Sequence, residues 1–356
     1  MIPGIMVAMP MADLTENDYY MPPSGKPRVV SAKAERPAPT RIGFLLIDGF
    51  ALMSYAAVVE PFRAANVLAG RNLYEWKHIS TGDTVARASN GAQIGVDAKV
   101  GKDLGLDLLM VCAAGNPAHF DDPATLAWLR YVASRGAQIG GISGGPYILA
   151  RAGLLDDYRC TIHWEHRSAF IEAFPKLLVK NGLYVIDRDR VTCAGGTAGL
   201  DLAIAMITAD HGAALASMVG DWYLRTQSRE AEDTQRMSLR ERYKVTNRRI
   251  LGALAIMEAN LEEPVNPSLL ARRVGVSTRQ LERLFVDQLG VTIGRSYLNI
   301  RLARAMALLK ETSLSAMDVA VACGFVSTSH FSRAFKLRYG SPPSILRRVD
   351  SRSPSE

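Results

Sequence analysis

The last third of the chain repeats itself. "LARRVGVSTRQLERLFVDQLG" (270–290) lines up with "VAVACGFVSTSHFSRAFKLRYG" (319–340). Leu281 and Phe331, Arg283 and Arg333, Phe285 and Phe335, and Gly290 and Gly340 are each 50 residues apart, while Gly275 and Gly324 are 49 apart. One extra residue near Val326 absorbs the difference. Each copy reads as a short helix, a turn at glycine, a serine placed to cap, and a second helix with apolar residues at helical spacing. Ser277 and Ser327 are the expected caps. The pattern predicts two helix-turn-helix units. Between them, "RSYLNIRLARAMALLKET" (295–312) reads as a longer helix that holds them at a fixed separation.

Charge separates this third from the rest. The chain carries a net charge of +7, but residues 1–235 hold 22 Lys/Arg against 25 Asp/Glu, and residues 236–356 hold 20 against 10. The excess of +10 is therefore C-terminal and mostly arginine, a side chain suited to phosphate and guanine edges. In a helix-turn-helix unit the second helix enters the major groove, and its early residues meet the base edges. The expected DNA contacts are Thr278, Arg279, Gln280 and Arg283 in copy one, and Thr328, Ser329, His330 and Arg333 in copy two. A plain helical bundle with surface arginines would not need the shared glycine, cap, aromatic and arginine positions.

A chain of 356 residues exceeds one ordinary core, so at least two domains are expected. Residues 1–39, rich in Pro and Met and without periodicity, read as a disordered extension. They show no basic segment ahead of an apolar one, and no apolar run reaches membrane-spanning length, so a cytoplasmic chain with no membrane contact is expected. The four cysteines are far apart and show no metal spacing; free buried thiols, no metal and no cofactor are the expectation. From Arg41 onward, short apolar runs ("RIGFLLID", "EWKHIST", "LDLLMVC", "AQIGGI", "DRVTC") alternate with helical patterns, which predicts a largely parallel sheet covered on both faces. Three strands end in glycine-bearing turns: Ala114-Gly115-Asn116, Ser143-Gly144-Gly145 and Gly195-Gly196-Thr197. In a parallel sheet these share the carboxyl edge, where open α/β folds bind ligands. One of them, Gly141-Ile142-Ser143-Gly144-Gly145, matches G-x-S-x-G, a pattern that raises a nucleophilic serine.

On these residues the chain resembles two known families. Residues 245–350, closing in "GFVSTSHFSRAFKLRYGSPPSILRR", resemble the AraC/XylS DNA-binding domain. Residues 40–225 resemble the DJ-1/PfpI, or class I glutamine amidotransferase-like, domain. The resemblance implies an α/β flavodoxin-like sensor domain, a linker over 226–244, and an all-α domain with two helix-turn-helix units. "CTIHWEH" and the stretch from "HGAALA" to "DTQRM" look closest to bacterial regulators of arginine, carnitine and glycine betaine catabolism. Such a protein would bind double-stranded promoter DNA as a homodimer, act with RNA polymerase as an activator, and respond to a small amine or amino-acid-like effector.

DJ-1/PfpI enzymes carry cysteine where this chain has Ser143, and an acid where it has Ser54. A serine needs a base and an orienting acid. His163 is the candidate base, and no orienter is assigned. A ligand-sensing, non-catalytic pocket is therefore expected, formed by Ser54, Glu60, Gly115, Asn116, Ser143, Gly144, Tyr147, His163, Trp164 and Thr197. Aromatic faces would suit a quaternary ammonium, and an acid such as Glu60 a guanidinium. The alternatives are a DNA-tethered hydrolase or amidotransferase-like enzyme using Ser143 and His163, and a constitutive DNA-binding protein whose first domain only dimerises.

Overall fold

The computed structural model describes residues 38–311 and 314–345. The extension expected over 1–39 therefore falls almost wholly outside the described residues. Strands and helices alternate in the first domain: β1 (Thr40–Leu46), α1 (Leu52–Ala69), β2 (Tyr74–Ser80), the short β3 (Val85–Arg87), β4 (Gln93–Gly95) and β5 (Ala98–Lys99), then β6 (Leu108–Ala113), α2 (Pro123–Ser134), β7 (Gln138–Ser143) and α3 (Gly145–Arg151). After them come β8 (Arg159–Cys160), α4 (Arg167–Ala173), β9 (Leu178–Val179), β10 (Tyr184–Asp187), β11 (Arg190–Cys193), α5 (Ala198–His211) and α6 (Ala213–Trp222).

Seven strands form one sheet in the order β10-β11-β7-β6-β1-β2-β5. All neighbours are parallel except β10, an edge strand that returns antiparallel to β11. Sequence reasoning did not foresee β10. Alternation sorts the side chains onto two cores: Leu108, Met110 and Cys112 of β6 face the layer of α1, α5 and α6, while Leu109, Val111 and Ala113 face α2 and α3. Burial on both faces is why these strands read as continuous apolar runs. All four cysteines are free and buried. Burial alone pushes the Cys160 thiol up to about 12, away from the reactive thiolate form.

The chain leaves β1 toward β2 on one side and continues through β6, β7 and β11 on the other, so the winding reverses between β1 and β6. The crevice at such a reversal is the ligand position of doubly wound folds. The turns after β6, β7 and β11 are therefore neighbours, on the edge that the sequence indicated.

The second half is helical: α7 (Leu239–Tyr243), α8 (Arg248–Ala259), α9 (Pro267–Arg273), α10 (Thr278–Leu289), α11 (Ile293–Glu311), α12 (Ala316–Ala322) and α13 (Thr328–Tyr339). Leu281 and Phe285 close one small core, and Phe331 and Phe335 close another. Helix α11 contributes to both, with Ile293 and Tyr297 in the first and Leu302, Ala305 and Leu308 in the second. Among the described residues, no helix is long and apolar enough to cross a membrane, and no group of three or more His, Cys, Asp or Glu side chains could hold a metal ion.

Candidate functional site

The turn after β7 explains its own glycines. A Cβ at Gly141 would stand 2.7 Å from the Pro146 nitrogen, and one at Gly145 would overlap the Val111 carbonyl. The helix thus starts pressed against the sheet, and Ser143 takes the left-handed conformation (φ +60°), a strained choice costing about 1–3 kcal/mol. The strain aims a nearly buried serine at the carboxyl edge. Ser54, in the first turn of α1, converges on the same point. Its Oγ accepts a hydrogen bond from the Gly196 amide (2.7 Å), and a Cβ at Gly195 would touch both Ser54 Oγ and Ser143 Cβ at 2.7 Å. The His163 amide donates to the Ser143 carbonyl (3.3 Å), which ties the His163–Arg167 turn to the elbow.

The histidine is not arranged as a base for Ser143. Its Nδ1 accepts from the Glu165 amide (3.3 Å), so the ring proton resides on Nε2, and no acid orients it through an Nδ1–H. Glu165 is half exposed, and its carboxylate lies 4.0 Å from Nδ1. Burial, assisted by neighbouring His166, lowers the His163 pKa to about 4, so the ring is neutral near pH 7. Among the described residues, no hydrogen bond joins Ser143 Oγ to the His163 ring.

The other expected ligand residues divide. Gly115 (φ +66°) and Gly144 line the same edge; a Cβ at Gly144 would meet the Ala113 carbonyl at 3.1 Å. Asn116 caps the short turn Pro117–His119, its Oδ1 accepting from the Ala118 amide (3.2 Å), and its Nδ2 donates to the Lys310 carbonyl at the end of α11. Thr197 accepts from Arg229 (2.9 Å). Trp164 is 43% exposed beside His163, with ring centres 5.3 Å apart. Tyr147 and Glu60 are not brought to this cluster. Tyr147 packs into the α2–α3 core with its ring 5.1 Å from Phe174, and Glu60 pairs with Arg63 (2.7 Å) and accepts from the Tyr223 hydroxyl (3.1 Å). A cavity of about 540 Å³ lies elsewhere, between Lys180, Gly182, Tyr184, Ile186, Ala231 and Glu232.

Sequence reasoning missed three side chains near the edge. Arg167 opens α4 with a desolvated guanidinium whose Nε has no hydrogen-bond partner among the described residues. Gln235 donates through Nε2 to Thr161 Oγ1 (3.1 Å) and to the carbonyls of Ile162 (3.0 Å) and Gly182 (2.8 Å). Arg236 places its guanidinium 4.6 Å from the centre of the Trp164 ring. The last two belong to the "DTQRM" string, so the signal was present; read as linker, it gave no hint of what it touches.

In the helical half, Thr278, Arg279, Gln280 and Arg283 are all exposed on α10, and Thr328, Ser329, His330 and Arg333 on α13. A shallow hollow of about 560 Å³ lies on the α10 face among Thr278, Arg279, Glu282, Arg283, Val286 and Asp287. Among the described residues, neither Arg283 nor Arg333 is held in an ion pair, which leaves both guanidinium forks available. Gln280 is committed in part: its Oε1 accepts from the Ser277 amide (3.0 Å) and hydroxyl (3.1 Å), completing a capping box, and leaves only its Nε2 for another partner.

Comparison with known proteins settles the class. Residues 270–349 match the helix-turn-helix domain model, and residues 40–209 match the DJ-1/PfpI family. The HTH-type transcriptional regulator GbdR of Pseudomonas aeruginosa is 41% identical over 305 residues, 86% of this chain and 83% of the relative. GlxA of Rhizobium meliloti, also named an HTH-type transcriptional regulator, is 42% identical over 86% of this chain and 95% of its own length. CdhR of Pseudomonas aeruginosa is 40% identical over 86% and 91%. The chain belongs to these HTH-type transcriptional regulators. The regulator joins a DJ-1/PfpI domain with a mainly parallel sheet to an AraC-type helix-turn-helix domain that binds DNA. Its relatives are named as regulators, not enzymes, which agrees with a Ser143–His163 pair that lacks the geometry of a nucleophile and its base.

Proposed function

We propose that this regulator senses a small amine or amino-acid-like effector at the carboxyl edge of its sheet and, as a cytoplasmic homodimer acting with RNA polymerase, activates catabolic genes. The observation that carries the reading is the convergence of Ser54, Ser143, Gly195 and the His163–Trp164 turn at the reversal point of the sheet, with Asn116 of the same edge bonded to the end of α11. A site so placed touches the helix that joins the two DNA-binding units. An effector that binds one arrangement of these parts more tightly than another shifts their populations. The base contacts are assigned to Thr278, Arg279, Gln280 and Arg283 on α10, and to Thr328, Ser329, His330 and Arg333 on α13. Exposed positions on the first two turns of both second helices support that assignment.

Thermal melting of the purified protein against glycine betaine, dimethylglycine, carnitine, choline, sarcosine and arginine tests the sensor reading. A ligand that binds the folded state raises the melting point by mass action, by an amount that grows with concentration. A rise with one compound that is lost in the Ser143→Ala, Trp164→Ala double variant supports the assignment. A flat response across the panel rejects an amine effector at this edge.

A further inference from the structure

The segment between the two domains is not a free tether. Arg225 and Arg229 both pair with the buried carboxylate of Asp201 in the first turn of α5, the former at 2.8 Å. The Ala231 carbonyl accepts from the Leu183 amide (2.7 Å), and a Cβ at Gly182 would overlap that same carbonyl. Gln235 then makes its three hydrogen bonds beside β8 and the start of the His163 turn. Two residues after Arg236, Ser238 caps α7 in a reciprocal box with Glu241. From α7, Arg242 grips Glu258 of α8 at 2.8 and 2.9 Å and reaches back to the Met237 carbonyl (3.1 Å). A continuous chain of contacts therefore runs from the sheet edge into the DNA-binding domain.

Arg225, Arg229 and Arg242 each hold a carboxylate, and Arg236 among them does not. Among the described residues it forms no ion pair within 4 Å, although Glu258 is near enough to act on it through space. Its neighbours are the Trp164 face, Tyr243, and the like charge of Arg242. Burial and Arg242 both lower its pKa, the sign of a charge desolvated without full compensation. A guanidinium on an indole is the same contact that an organic cation would make there. The exposed Glu165 carboxylate is two residues from the His163 ring that adjoins Trp164. The desolvated Arg167 opens the next helix.

We propose that Arg236 is the internal occupant of the effector site: its guanidinium covers the Trp164 face that an organic cation, ammonium or guanidinium, takes when it binds, and its displacement frees the connector that leads into α7 and α8. This rests on the reading that the Ser143–His163–Trp164 edge is the effector site. An internal competitor scales apparent affinity by the fraction of time it leaves the site free, so removing it tightens binding.

The test compares the full-length protein with Arg236→Gln and Arg236→Lys. Affinity for glycine betaine, carnitine, choline and arginine is measured by calorimetry, and amide hydrogen exchange is followed over residues 225–243. Arg236→Gln should bind the responding compound about two- to thirty-fold more tightly, the span of a cation–π contact. Arg236→Lys, a cation that stacks less well, should fall between. In the original protein the compound should speed exchange in the connector, whereas in Arg236→Gln exchange should already be fast and unmoved by it. Equal affinity in all three proteins, with connector exchange unchanged by ligand, overturns the proposal and leaves the effector site standing. No binding of any compound to any of the three overturns the effector reading, and the proposal with it.

Discussion

Gly275 and Gly324 occupy the same place in the two helix-turn-helix units, and both adopt the left-handed conformation, at φ +72° and +70°. Around Gly275 there is open space: a Cβ there would meet nothing within 4 Å. Around Gly324 there is none, because the Leu261 carbonyl would lie 2.5 Å away and Pro264 2.7 Å away. The first turn closes through its own backbone, with Gly275 and Val276 donating to the carbonyls of Arg272 and Ala271. The second is also clamped from outside by Arg301 of α11, which donates to the carbonyls of Cys323 (2.7 Å) and Gly324 (2.6 Å) and stacks on Phe325 at 4.1 Å. One skeleton has thus been used in two ways: the first turn closes through its own backbone, and the second is built onto the loop of the first unit and the helix between them. The duplication fixes what each unit looks like, and the asymmetry makes the pair a single body.

Replacing the two glycines should break this comparison most sharply. Gly275→Ala costs the left-handed strain alone, about 1–2 kcal/mol. Gly324→Ala adds a clash with a backbone carbonyl that cannot swing away, for a total of about 3–4 kcal/mol. Urea unfolding of the full chain measures both. Equal losses would show that the second turn is not wedged against the Leu261–Pro264 loop.

Arg301→Ala should come next, at about 2–3 kcal/mol, because two carbonyls at the end of α12 lose a charged donor in a half-buried site. Fifty residues upstream stands Leu251, so the first unit has no equivalent clamp. If Arg301→Ala leaves the unfolding free energy within a few tenths of a kcal/mol of the original, the clamp adds nothing to stability.

How much of this could be read from the sequence follows from the range of each interaction. The two units were legible because their signals are local: glycine at the turn, serine three residues before the N3 amide, and apolar residues three and four apart. The carboxyl-edge site was half legible. Three glycine turns after apolar strands place Ser143, Gly115 and Thr197 on one edge, but nothing local says which way a nearby side chain points. Tyr147, four residues beyond the elbow serine, faces the core, and Glu60, six beyond Ser54, lies away from the cluster. The connector was illegible for the same reason. Its partners (Asp201, Thr161 and Trp164) are remote in sequence, and a charged stretch without periodicity looks the same whether it is solvated or docked.

On DNA the two units should differ in what they read more than in how tightly they hold. Arg283→Ala and Arg333→Ala should each weaken operator binding by about 1–3 kcal/mol if each guanidinium makes a bidentate contact to guanine, and each should relax preference at its own half of the site. Copy one offers two arginines and a glutamine with a threonine; copy two offers one arginine with a threonine, a serine and a histidine. Selection of bound sequences by each variant reads this directly. A uniform loss with unchanged preference would reassign that arginine to phosphate.

The smallest difference concerns the caps. Ser277 and Gln280 satisfy each other: the Gln280 amide donates to Ser277 Oγ (3.2 Å), and the Ser277 amide donates to Gln280 Oε1 (3.0 Å). Ser327 has only the accepting half, from the His330 amide at 3.3 Å, because the position that carries Gln280 in the first copy carries His330 in the second. Ser277→Ala therefore removes both bonds of the hydroxyl and leaves Gln280 Oε1 held by the backbone amide alone, at a cost of about 1 kcal/mol, whereas Ser327→Ala removes one long bond at about 0.5 kcal/mol. The loosened glutamine carries a second readout. With the hydroxyl gone, Gln280 Oε1 keeps only the backbone amide of residue 277 and regains a lone pair for an adenine amino group, so Ser277→Ala should destabilise the helix while shifting base preference under α10. Ser327→Ala should destabilise α13 and leave preference unchanged. A change of preference in both variants, or in neither, would mean that the caps act on DNA only through the stability of the helices they begin.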